Sequence, residues 1–591
     1  MNFAKTLFQP PASDYPADDK SLAPNSRAVV LVALFLACFL LRWLMSLTWD
    51  VLWADGVIYL KNCQLLEQGN FDEALKGLGI NTYPVILMAF RRLGLEWSTA
   101  AVWWSVLMAS LTVLPLYGWI RRQFDDRVAT VACILYAMHP KLLGFSPLTI
   151  RDPTFWFLFI STLYLLWRGV GELRYRLLVL GGLVLALACL TRIEGWLLMT
   201  PLTLWPLGRF FSLQRKEKVR MAAGTLAAMS MLPLLLVVIN LTVLRDHSRW
   251  EFGHNYCISH AVKLFGKLSP ADDEAAAKIE KTAAKPAAKP DAKPDDPGAA
   301  VKPDVVKTGT GETTAAKPEE PKRKSTAQKA VKLIGKVGSR LVKAFTYAYG
   351  LLVLVGLWAG RRSFVRREHQ TIFLMNTLLL VAIGMRQSLD GIDVRYYLPI
   401  VIVGFSFMAL GFLQVVQWLC GLFFAKDADS PSRRTAVAVA LLLIIAAVGL
   451  PNIFPVARST MYEHSHLGMW IHDNLGPGRK IVGSRRKQSL VEYYAEAEML
   501  SNSSLREYTS EPLEPLLEKG IPDVVLLWRE WRHSHRWSTY TKGILDCQEE
   551  LGYIEIPRQR LPERCVNVRV LVREEIFPKE ERSPLSRSAP R

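Results

Sequence analysis

Long apolar runs dominate the chain, and short polar stretches rich in arginine separate them. A helix rises about 1.5 Å per residue, so roughly 20 apolar residues are needed to cross a bilayer. The pattern therefore predicts eleven membrane helices, at about 28–48, 98–120, 128–148, 153–168, 177–191, 194–209, 221–244, 341–360, 371–387, 397–422 and 435–455. The runs 177–191 and 194–209 are short, and they predict a tight helical hairpin around Thr191 and Arg192.

The charges between these runs predict how the chain is oriented. With the N-terminus inside, every inside loop is basic, which is the positive-inside pattern of membrane proteins. The loops carry Arg121, Arg122 and Arg127; Arg168, Arg174 and Arg176; Arg209, Arg215, Lys216, Lys218 and Arg220; Arg361, Arg362, Arg366 and Arg367; and Lys426, Arg433 and Arg434. An odd number of spans places the C-terminus outside. No small-residue cleavage site follows the first run, so a cleaved signal peptide is not expected.

A polar insert interrupts the pattern at 267–340. It repeats Ala-Lys-Pro and has almost no aromatic residues, so we expect a disordered segment outside the membrane. Its end has apolar residues at helical spacing between lysines, which predicts a basic amphipathic helix on the outer membrane surface. These apolar residues are Val331, Ile334, Val337 and Leu341.

The region 456–591 has balanced charges, and its pattern of apolar and polar residues differs from that of the predicted membrane helices. Strand-like runs occur at KIVGS, PDVVLLW and VNVRVLV, with helical patterns at YEHSHLGMWIHDN and SLVEYYAEAEML. The region predicts a small α/β domain outside the membrane. It contains no GxGxxG and no GxxxxGK[ST], so nothing indicates a nucleotide site.

The predicted organisation therefore has five parts. They are a cytoplasmic tail at 1–27, a membrane module at 28–266 with interfacial helices in its first outside loop, the outside insert at 267–340, the remaining membrane helices at 341–455, and the extracytoplasmic domain at 456–591. The predicted fold class is a polytopic α-helical membrane protein of the inner (plasma) membrane with a small C-terminal α/β domain.

Composition and charge refine this picture. The chain has 591 residues and is 51% hydrophobic, yet its mean hydropathy is only +0.17, so a sizeable part must be polar and lie outside the membrane. The net charge of +19 is largely explained by orientation signals near lipid headgroups. Without zinc-finger spacing or an RNA-binding aromatic motif, this charge does not indicate a nucleic-acid partner.

The eight cysteines suggest little chemistry. Four lie in predicted spans, where apolar packing explains them. Cys547 and Cys565, both in the outside region, are candidates for a disulfide that sequence alone cannot pair. No spacing of Cys and His indicates structural zinc.

The first outside loop is long and aromatic. Apolar residues predict a helix along the interface, and a second helix is expected after Tyr83 and Pro84. The residues that predict the first helix are Val57, Leu60, Leu65 and Leu66. Asp55 lies just before it, where it is either a helix N-cap, a solvated acid, or part of a site.

Three further outer junctions concentrate ionisable residues. The second has His139, Lys141, Arg151 and Asp152, the third has Arg192 and Glu194, and the fourth has Asp390, Asp393, Arg395, Tyr396 and Tyr397. Helix capping with Pro153 is the alternative for Asp152, and snorkelling to headgroups is the alternative for any single Arg. Ionisable groups at membrane depth are costly and usually face a partner or a cavity. Several Arg and two Asp on one side of the membrane suit a phosphate-bearing lipid.

These motifs, in this order, resemble the GT-C glycosyltransferases of family 39, the protein-mannosyltransferase and aminoarabinose-transferase-like group. The resemblance rests on WADGVIYLKNCQLLEQGNF, the Tyr83-Pro84 step, Arg151-Asp152-Pro153, LTRIEGW, DVRYYLPI and, in the tail, HLGMWIHDNLGPGRKIVGSRRKQSLVEYYAE. It implies transfer of a sugar from a polyprenyl-phosphate donor to an acceptor on the outer face, where the acceptor is a protein, a glycolipid or a polysaccharide.

The resemblance also implies roles for individual residues. Asp55 is the expected catalytic base, Asp152 orients the acceptor or assists the base, and Arg192 and Arg395 hold the lipid phosphate. The other expected substrate-binding residues are Tyr59, Tyr83, His139, Lys141, Arg151, Glu194 and Tyr396. Many family members have an acidic pair where Asp55 is followed by Gly56, so the resemblance leaves the use of a divalent metal open.

Elementary chemistry agrees with this function. A carboxylate can take the acceptor's proton as it attacks the anomeric carbon, and Arg can stabilise the leaving phosphate. One direct displacement inverts the anomeric centre. Two alternatives remain at this stage. A transporter or lipid flippase would keep charges at the bilayer midplane, and a non-catalytic scaffold would hold Asp55 and Asp152 far apart.

Overall fold

The computed structural model describes most of the membrane region and the core of the tail. The described residues are 23–49, 52–71, 73–74, 81–242, 326–361, 376–377, 393–424, 430–453, 457–482, 488–499, 522–528, 552–565 and 567–577. Asp390, Cys547, the predicted helix 371–387 apart from two residues, and the insert before Thr326 lie outside them.

Helices form nearly all of the described chain up to Asn452. They are α1 Pro24–Ser46, α2 Ala54–Glu67, α3 Thr82–Arg92, α4 Trp97–Leu111, α5 Val113–Gln123, α6 Asp126–Met138, α7 Pro140–Phe145, α8 Asp152–Gly171, α9 Tyr175–Thr191, α10 Met199–Phe210, α11 Arg215–Thr242, α12 Thr326–Phe345, α13 Tyr347–Ala359, α14 Leu398–Phe423 and α15 Pro431–Gly449. Short 3₁₀ turns at Ile193–Leu198 and Val394–Tyr397 lead into α10 and α14.

Side-chain caps explain where several helices begin. The Asn81 side chain accepts a hydrogen bond from the backbone N–H of Tyr83, Glu96 accepts from Thr99, and Asp125 accepts from Val128. Such caps satisfy backbone donors that have no partner within the helix. The second interfacial helix, α3, therefore begins two residues before the expected Pro84.

The predicted count of eleven membrane helices is not confirmed. By length and composition, the described residues contain six helices that can cross a membrane, or seven if one bent pair is counted as a span. The predicted run 128–148 is broken at His139 and Pro140, where α6 ends after 13 residues and the six-residue α7 begins. The run 194–209 begins as a 3₁₀ turn, and the helix that follows has only 12 residues. The chain does break at the predicted place, since α9 ends at Thr191 and Arg192 is extended. The predicted tight hairpin is not confirmed, because α9 packs mainly against α8 and α11 rather than against α10.

The bent pair is formed by α12 and α13, whose axes differ by 98°. The chain turns at Thr346, which has a φ of 57°. On α12, Val331 and Ile334 are about 70% exposed, and the helix has no acidic residue but five basic ones. A basic helix with an exposed apolar face lying across the direction of an apolar helix is typical of the membrane interface.

The helices α13 and α14 are packed unusually closely. A Cβ on Gly356 would lie 1.7 Å from the carbonyl oxygen of Phe407, and one on Gly411 would lie 2.0 Å from that of Leu352. Glycine on both helices therefore lets the two backbones touch, as is common between membrane helices.

The tail contains a five-stranded sheet. Its strands are β1 Lys480–Val482, β2 Glu498–Met499, β3 Val524–Trp528, β4 Tyr553–Glu555 and β5 Val568–Arg573, in the order β2-β1-β3-β5-β4. The pairs β1–β2 and β1–β3 are parallel, whereas β3–β5 and β4–β5 are antiparallel, with Leu526 opposite Val570. Strands lie at all three predicted positions, and β2 and β4 are additional.

Two helices accompany the sheet, α16 Ala457–Leu475 and α17 Gln488–Ala495. Leu467, Ile471 and Leu475 of α16 pack against the sheet at helical spacing. The second helix is shorter than the predicted SLVEYYAEAEML. It ends because Glu496 has a φ of 47° and its carbonyl accepts a hydrogen bond from Gly478, after which the chain forms β2.

Cys565 is a buried free thiol in the structure. Its sulfur lies 3.5 Å from the carbonyl oxygen of Glu463. Its predicted partner, Cys547, lies outside the described residues.

The close approach of α13 and α14 yields a stability prediction. We expect Gly356→Leu to lower the thermal unfolding midpoint in detergent, because the new side chain meets the backbone of α14 and overpacking costs about 1–3 kcal/mol or more. Gly421→Leu on α14 is the matched control, because nothing lies within 4 Å of a Cβ there. Equal midpoints for the two variants would contradict this packing.

Candidate functional site

Residues from the four outer junctions meet in one cluster. Arg395 of the fourth junction pairs with Asp55 of the first, and Arg192 of the third pairs with Asp152 of the second. These contacts join positions that are 340 and 40 residues apart in sequence. The paired residues lie at the starts of α2 and α8, at the end of α9, and in the turn before α14. Helix ends therefore supply every member of the two pairs.

Asp55 lies in the first turn of α2 and does not cap it. The N-cap residue is Trp53, and no side chain caps this helix. The Asp55 carboxylate instead pairs with Nη2 of Arg395, and it remains 32% exposed whereas the arginine is 11% exposed. The alternative that Asp55 serves as a helix cap is therefore wrong, and its carboxylate stays accessible.

Gly56 explains how α2 reaches this position. A Cβ there would lie 1.8 Å from Oγ1 of Thr149 and 2.9 Å from the Thr149 carbonyl oxygen. Only glycine lets α2 lie against the second junction. The residue after Asp55 is thus used for close packing rather than for a second carboxylate.

Asp152 is the first residue of α8 and is buried. The N-cap is Arg151, and no side chain caps this helix, so capping is not its role either. Arg192 contacts Asp152 through Nη1 and holds Glu194 by two hydrogen bonds of 3.0 and 3.1 Å. The three side chains are 2%, 5% and 11% exposed, in the order Asp152, Arg192 and Glu194. A guanidinium shared by two carboxylates is held rigidly in a place that water barely reaches.

Aromatic rings separate and support these charges. The Tyr396 ring lies 4.7 Å from the guanidinium of Arg192 and 5.4 Å from that of Arg395. Arg151 lies 5.7 Å from the ring of Tyr59, which packs edge-on against Tyr83 at 5.3 Å. Such cation–π contacts stabilise cations that have lost part of their hydration.

The two ion pairs also interact with each other electrostatically. Asp152 and Asp55 both attract Arg395, although Arg395 contacts only Asp55. Burial raises the pKa of Tyr59 to about 12, with a lowering contribution from Arg151 and a raising one from Asp55. Tyr59 is therefore neutral at physiological pH and cannot act as the base.

The cluster also has unused hydrogen-bonding capacity. Nε and Nη1 of Arg395, Nε of Arg151 and Oδ2 of Asp152 are buried and have no hydrogen-bond partner among the described residues. Buried donors without a partner are costly, so their presence indicates a place where a ligand can bind. Three unpaired guanidinium N–H groups are the donors that an anion would use.

His139 and Lys141 lie in different surroundings from the two ion pairs. The His139 ring is buried, accepts from the N–H of Leu142 at 3.4 Å, and lies 3.3 Å from the carbonyl oxygen of Phe345. It packs edge-on against Tyr349 and Phe405. Its observed contacts are those of a helix cap and a packing residue. Lys141 interacts electrostatically with Asp393 and Lys343, near the fourth junction.

The structure also places residues at the site that the sequence analysis did not select. Phe155 lies 5.8 Å from the guanidinium of Arg192, and the hydroxyls of Thr82 and Thr191 are 2.6 Å apart. Phe155 follows Asp152 by three residues, so helical spacing was the available clue. Nothing in the sequence indicated the pairing of the two threonines.

In the described part of the site, the acidic side chains pair with arginines rather than with one another. Among the described residues, no three His, Cys, Asp or Glu side chains lie close enough to share one. Asp55 and Asp152 are each neutralised by an arginine instead.

Residues 82–239 match the family model described as dolichyl-phosphate-mannose-protein mannosyltransferase. The match covers about a quarter of the chain and includes α3 through most of α11, with Asp152, Arg192 and Glu194. No curated protein matches the chain significantly.

The fold is shared with solved GT-C structures. ArnT from Cupriavidus metallidurans, bound to undecaprenyl phosphate, has a TM-score of 0.52 at 12% identity over 94% of this chain and all of its own. The apo form of the same protein has a TM-score of 0.51, over 92% of this chain and 98% of its own. The oligosaccharyltransferase AglB from Archaeoglobus fulgidus, in complex with an inhibitory peptide and a dolichol-phosphate, has a TM-score of only 0.46 at 14% identity. The alignment covers 90% of this chain and 73% of AglB, and a similarity this low supports no conclusion.

The chain is therefore a multi-pass membrane protein with a GT-C fold, similar to glycosyltransferase family 39. The family match and the fold together indicate a glycosyltransferase that uses a lipid-linked donor. The predicted resemblance is confirmed at this level.

The buried ion pair yields a second stability prediction. We expect Asp152→Ala to lower the free energy of unfolding by about 3–5 kcal/mol, because it removes one partner of a buried pair. Lys61→Ala, which breaks an exposed pair with Glu492, should cost less than about 1 kcal/mol. Thermal unfolding followed by tryptophan fluorescence measures both. A Lys61→Ala effect as large as that of Asp152→Ala would refute this ranking.

Proposed function

We propose that the chain transfers a sugar from a polyprenyl-phosphate donor to an acceptor hydroxyl on the extracytoplasmic face, with inversion and with Asp55 as the general base. The observation that carries this proposal is the cluster itself, in which two carboxylates and two paired guanidinium groups meet at helix ends and leave N–H donors unused. The solved neighbour that holds undecaprenyl phosphate supports the class of donor.

The two carboxylates differ in their exposure, as the proposed reaction requires. Asp55 is about one-third exposed and contacts one nitrogen of Arg395, so an acceptor can reach it. Asp152 is buried and held by Arg192, which Glu194 also holds. A base must touch the acceptor, whereas an orienting acid need not be exposed. Asp55 is therefore proposed as the base and Asp152 as the residue that orients the site.

The reaction then balances with these residues alone. The acceptor oxygen attacks the anomeric carbon, its proton passes to the Asp55 carboxylate, and the bond from the anomeric carbon to the phosphate oxygen breaks. The lipid phosphate keeps the electron pair, and its growing charge is stabilised by the unpaired N–H groups of Arg395 and by Arg151. Tyr59, Tyr83, Glu194 and Tyr396 hold these groups in place.

The arrangement disfavours the other two hypotheses. A scaffold would leave Asp55 and Asp152 in unrelated surroundings, yet both attract Arg395. A transporter would place its charges at the bilayer midplane. The family match to a mannosyltransferase model supports an enzyme over a transporter.

The proposed topology follows from the same site. We keep eleven crossings, a cytoplasmic N-terminus and insertion in the inner membrane as proposals from the charge pattern. The tail is proposed to be an extracytoplasmic domain, because α17 contacts α2, the helix that carries Asp55.

The role of Asp55 is tested by substitution. Asp55→Asn should abolish transfer while the protein still folds, because an amide cannot accept the proton and the side chain is partly exposed. The control is Asp473→Asn, an exposed aspartate of α16. Cells that lack the chain are complemented with each variant, and their envelope glycans and glycoproteins are compared by mass spectrometry. Full restoration of the missing sugar by Asp55→Asn would refute the assignment.

The role of Arg395 is tested by lipid binding. Arg395→Lys should weaken binding of undecaprenyl phosphate at least tenfold, because an ammonium cannot hold Asp55 and a phosphate as a planar guanidinium can. Native mass spectrometry of the protein titrated with undecaprenyl phosphate measures this, with Arg569→Lys in the tail as the matched control. Unchanged binding by Arg395→Lys would contradict the proposed phosphate contact.

A further inference from the structure

The helix α17 belongs to two cores at once. Leu490, Tyr493 and Tyr494, at spacings of three and four residues, pack with the core of the membrane module. Val491 and Ala495, four residues apart, pack with the core of the tail sheet. Opposite faces of one eight-residue helix therefore join the two parts of the molecule.

Three consecutive side chains of α17 reach different segments of the membrane module. Glu492 forms an ion pair of 2.9 Å with Lys61 of α2. The hydroxyl of Tyr494 accepts a hydrogen bond of 3.0 Å from the backbone N–H of Leu52. Tyr493 lies near Glu96, the N-cap of α4. Burial and the charge of this carboxylate together raise the pKa of Tyr493 to about 12.

Leu52 immediately precedes the residues that set the position of Asp55. Leu52 is buried, and it precedes Trp53, the N-cap of α2. The Trp53 carbonyl accepts hydrogen bonds from Gly56 at 2.7 Å and from Val57 at 3.3 Å, which closes the first turn around Asp55. The position of the chain at Leu52 therefore sets where this turn begins.

From this geometry we infer that Tyr494 is a positioning residue for Asp55, through its hydrogen bond to Leu52. The inference rests on the proposed role of Asp55 as the base. The tail then does more than cover the membrane module, because one of its side chains fixes the entry to α2. Misplacing a reacting group by about 1 Å can cost on the order of a hundredfold in rate.

The hydroxyl, rather than the ring, carries this role. A buried backbone N–H that loses its acceptor costs about 1–3 kcal/mol, so the chain at Leu52 would shift to find another partner. Phenylalanine keeps the packing of the ring and removes only the acceptor. The effect of Tyr494→Phe therefore separates positioning from docking.

The test compares Tyr494→Phe with Tyr493→Phe, its neighbour on α17. The purified full-length chain in lipid nanodiscs is assayed with a panel of synthetic undecaprenyl-phosphate hexoses and pentoses, by release of undecaprenyl phosphate in the presence of envelope extract. For Tyr494→Phe, kcat should fall about tenfold while KM for the donor changes less than twofold. Hydrogen–deuterium exchange should be faster at the Leu52 amide. Tyr493→Phe should match the wild type in all three measurements.

Glu492→Gln is a second control, because it removes another contact between α17 and α2 without touching Leu52. A loss of kcat by Glu492→Gln equal to that of Tyr494→Phe would overturn the inference in favour of general docking. Wild-type kcat in Tyr494→Phe would overturn it as well.

The outcomes also separate this inference from the proposed function. If the wild-type chain releases lipid phosphate from no donor of the panel, the proposed function fails, and exchange at Leu52 alone decides whether Tyr494 anchors the segment. If the wild type is active and Tyr494→Phe shows normal exchange at Leu52, the proposed function stands and the anchoring role is rejected.

Discussion

The pairing of guanidinium and carboxylate groups at the outer helix ends is the constraint on which the site depends. A charge removed from water is tolerated only when a partner and hydrogen bonds replace its hydration. Arg192 is 5% exposed and Asp152 is 2% exposed, so neither is stable there without the other. The requirement draws together the ends of α8, α9 and α14 and the start of α2, although these are far apart in sequence. The geometry of the cluster thus follows from the need to neutralise buried charge.

Packing makes this arrangement possible. Gly56 lets α2 approach Thr149, and the Tyr396 ring lies against two guanidinium groups. From the other side, α17 joins the tail to the same segment. Both parts of the chain therefore contact α2, the helix that carries Asp55. The membrane module supplies the charges, and the tail holds the segment that carries one of them.

Much of this was accessible from sequence, for reasons that differ between elements. Apolar runs predict helices well because burial in lipid requires all backbone groups to bond within the segment. They do not show where a helix breaks, so the division at His139 and Pro140 was missed. The short strands β2 and β4 were missed too, because two or three residues carry too little pattern. The loop helices α2 and α3 were predicted because their apolar spacing was clear.

The site was less predictable than the fold. The order of the junction motifs indicated Asp55, Asp152, Arg192 and Arg395, but sequence could not say which acid pairs with which arginine. His139 illustrates the limit of proximity in sequence, since its ring packs against Tyr349 and Phe405. Tyr494 shows the converse, because its contact with Leu52 spans 442 residues and nothing local indicates it.

The touching backbones of α13 and α14 have a consequence for how the site responds to a substrate. Arg395 lies in the turn that leads directly into α14, whose backbone is packed closely against that of α13. Asp55 lies on a helix whose entry is contacted by the tail through the hydrogen bond from Leu52 to Tyr494. Under the proposed roles, adaptation to substrates of different size falls on the acceptor side, where Asp55 lies, while the contact of Arg395 with the departing phosphate stays fixed. A scaffold built in this way can exchange one acceptor for another during evolution without rebuilding its hold on the carrier lipid.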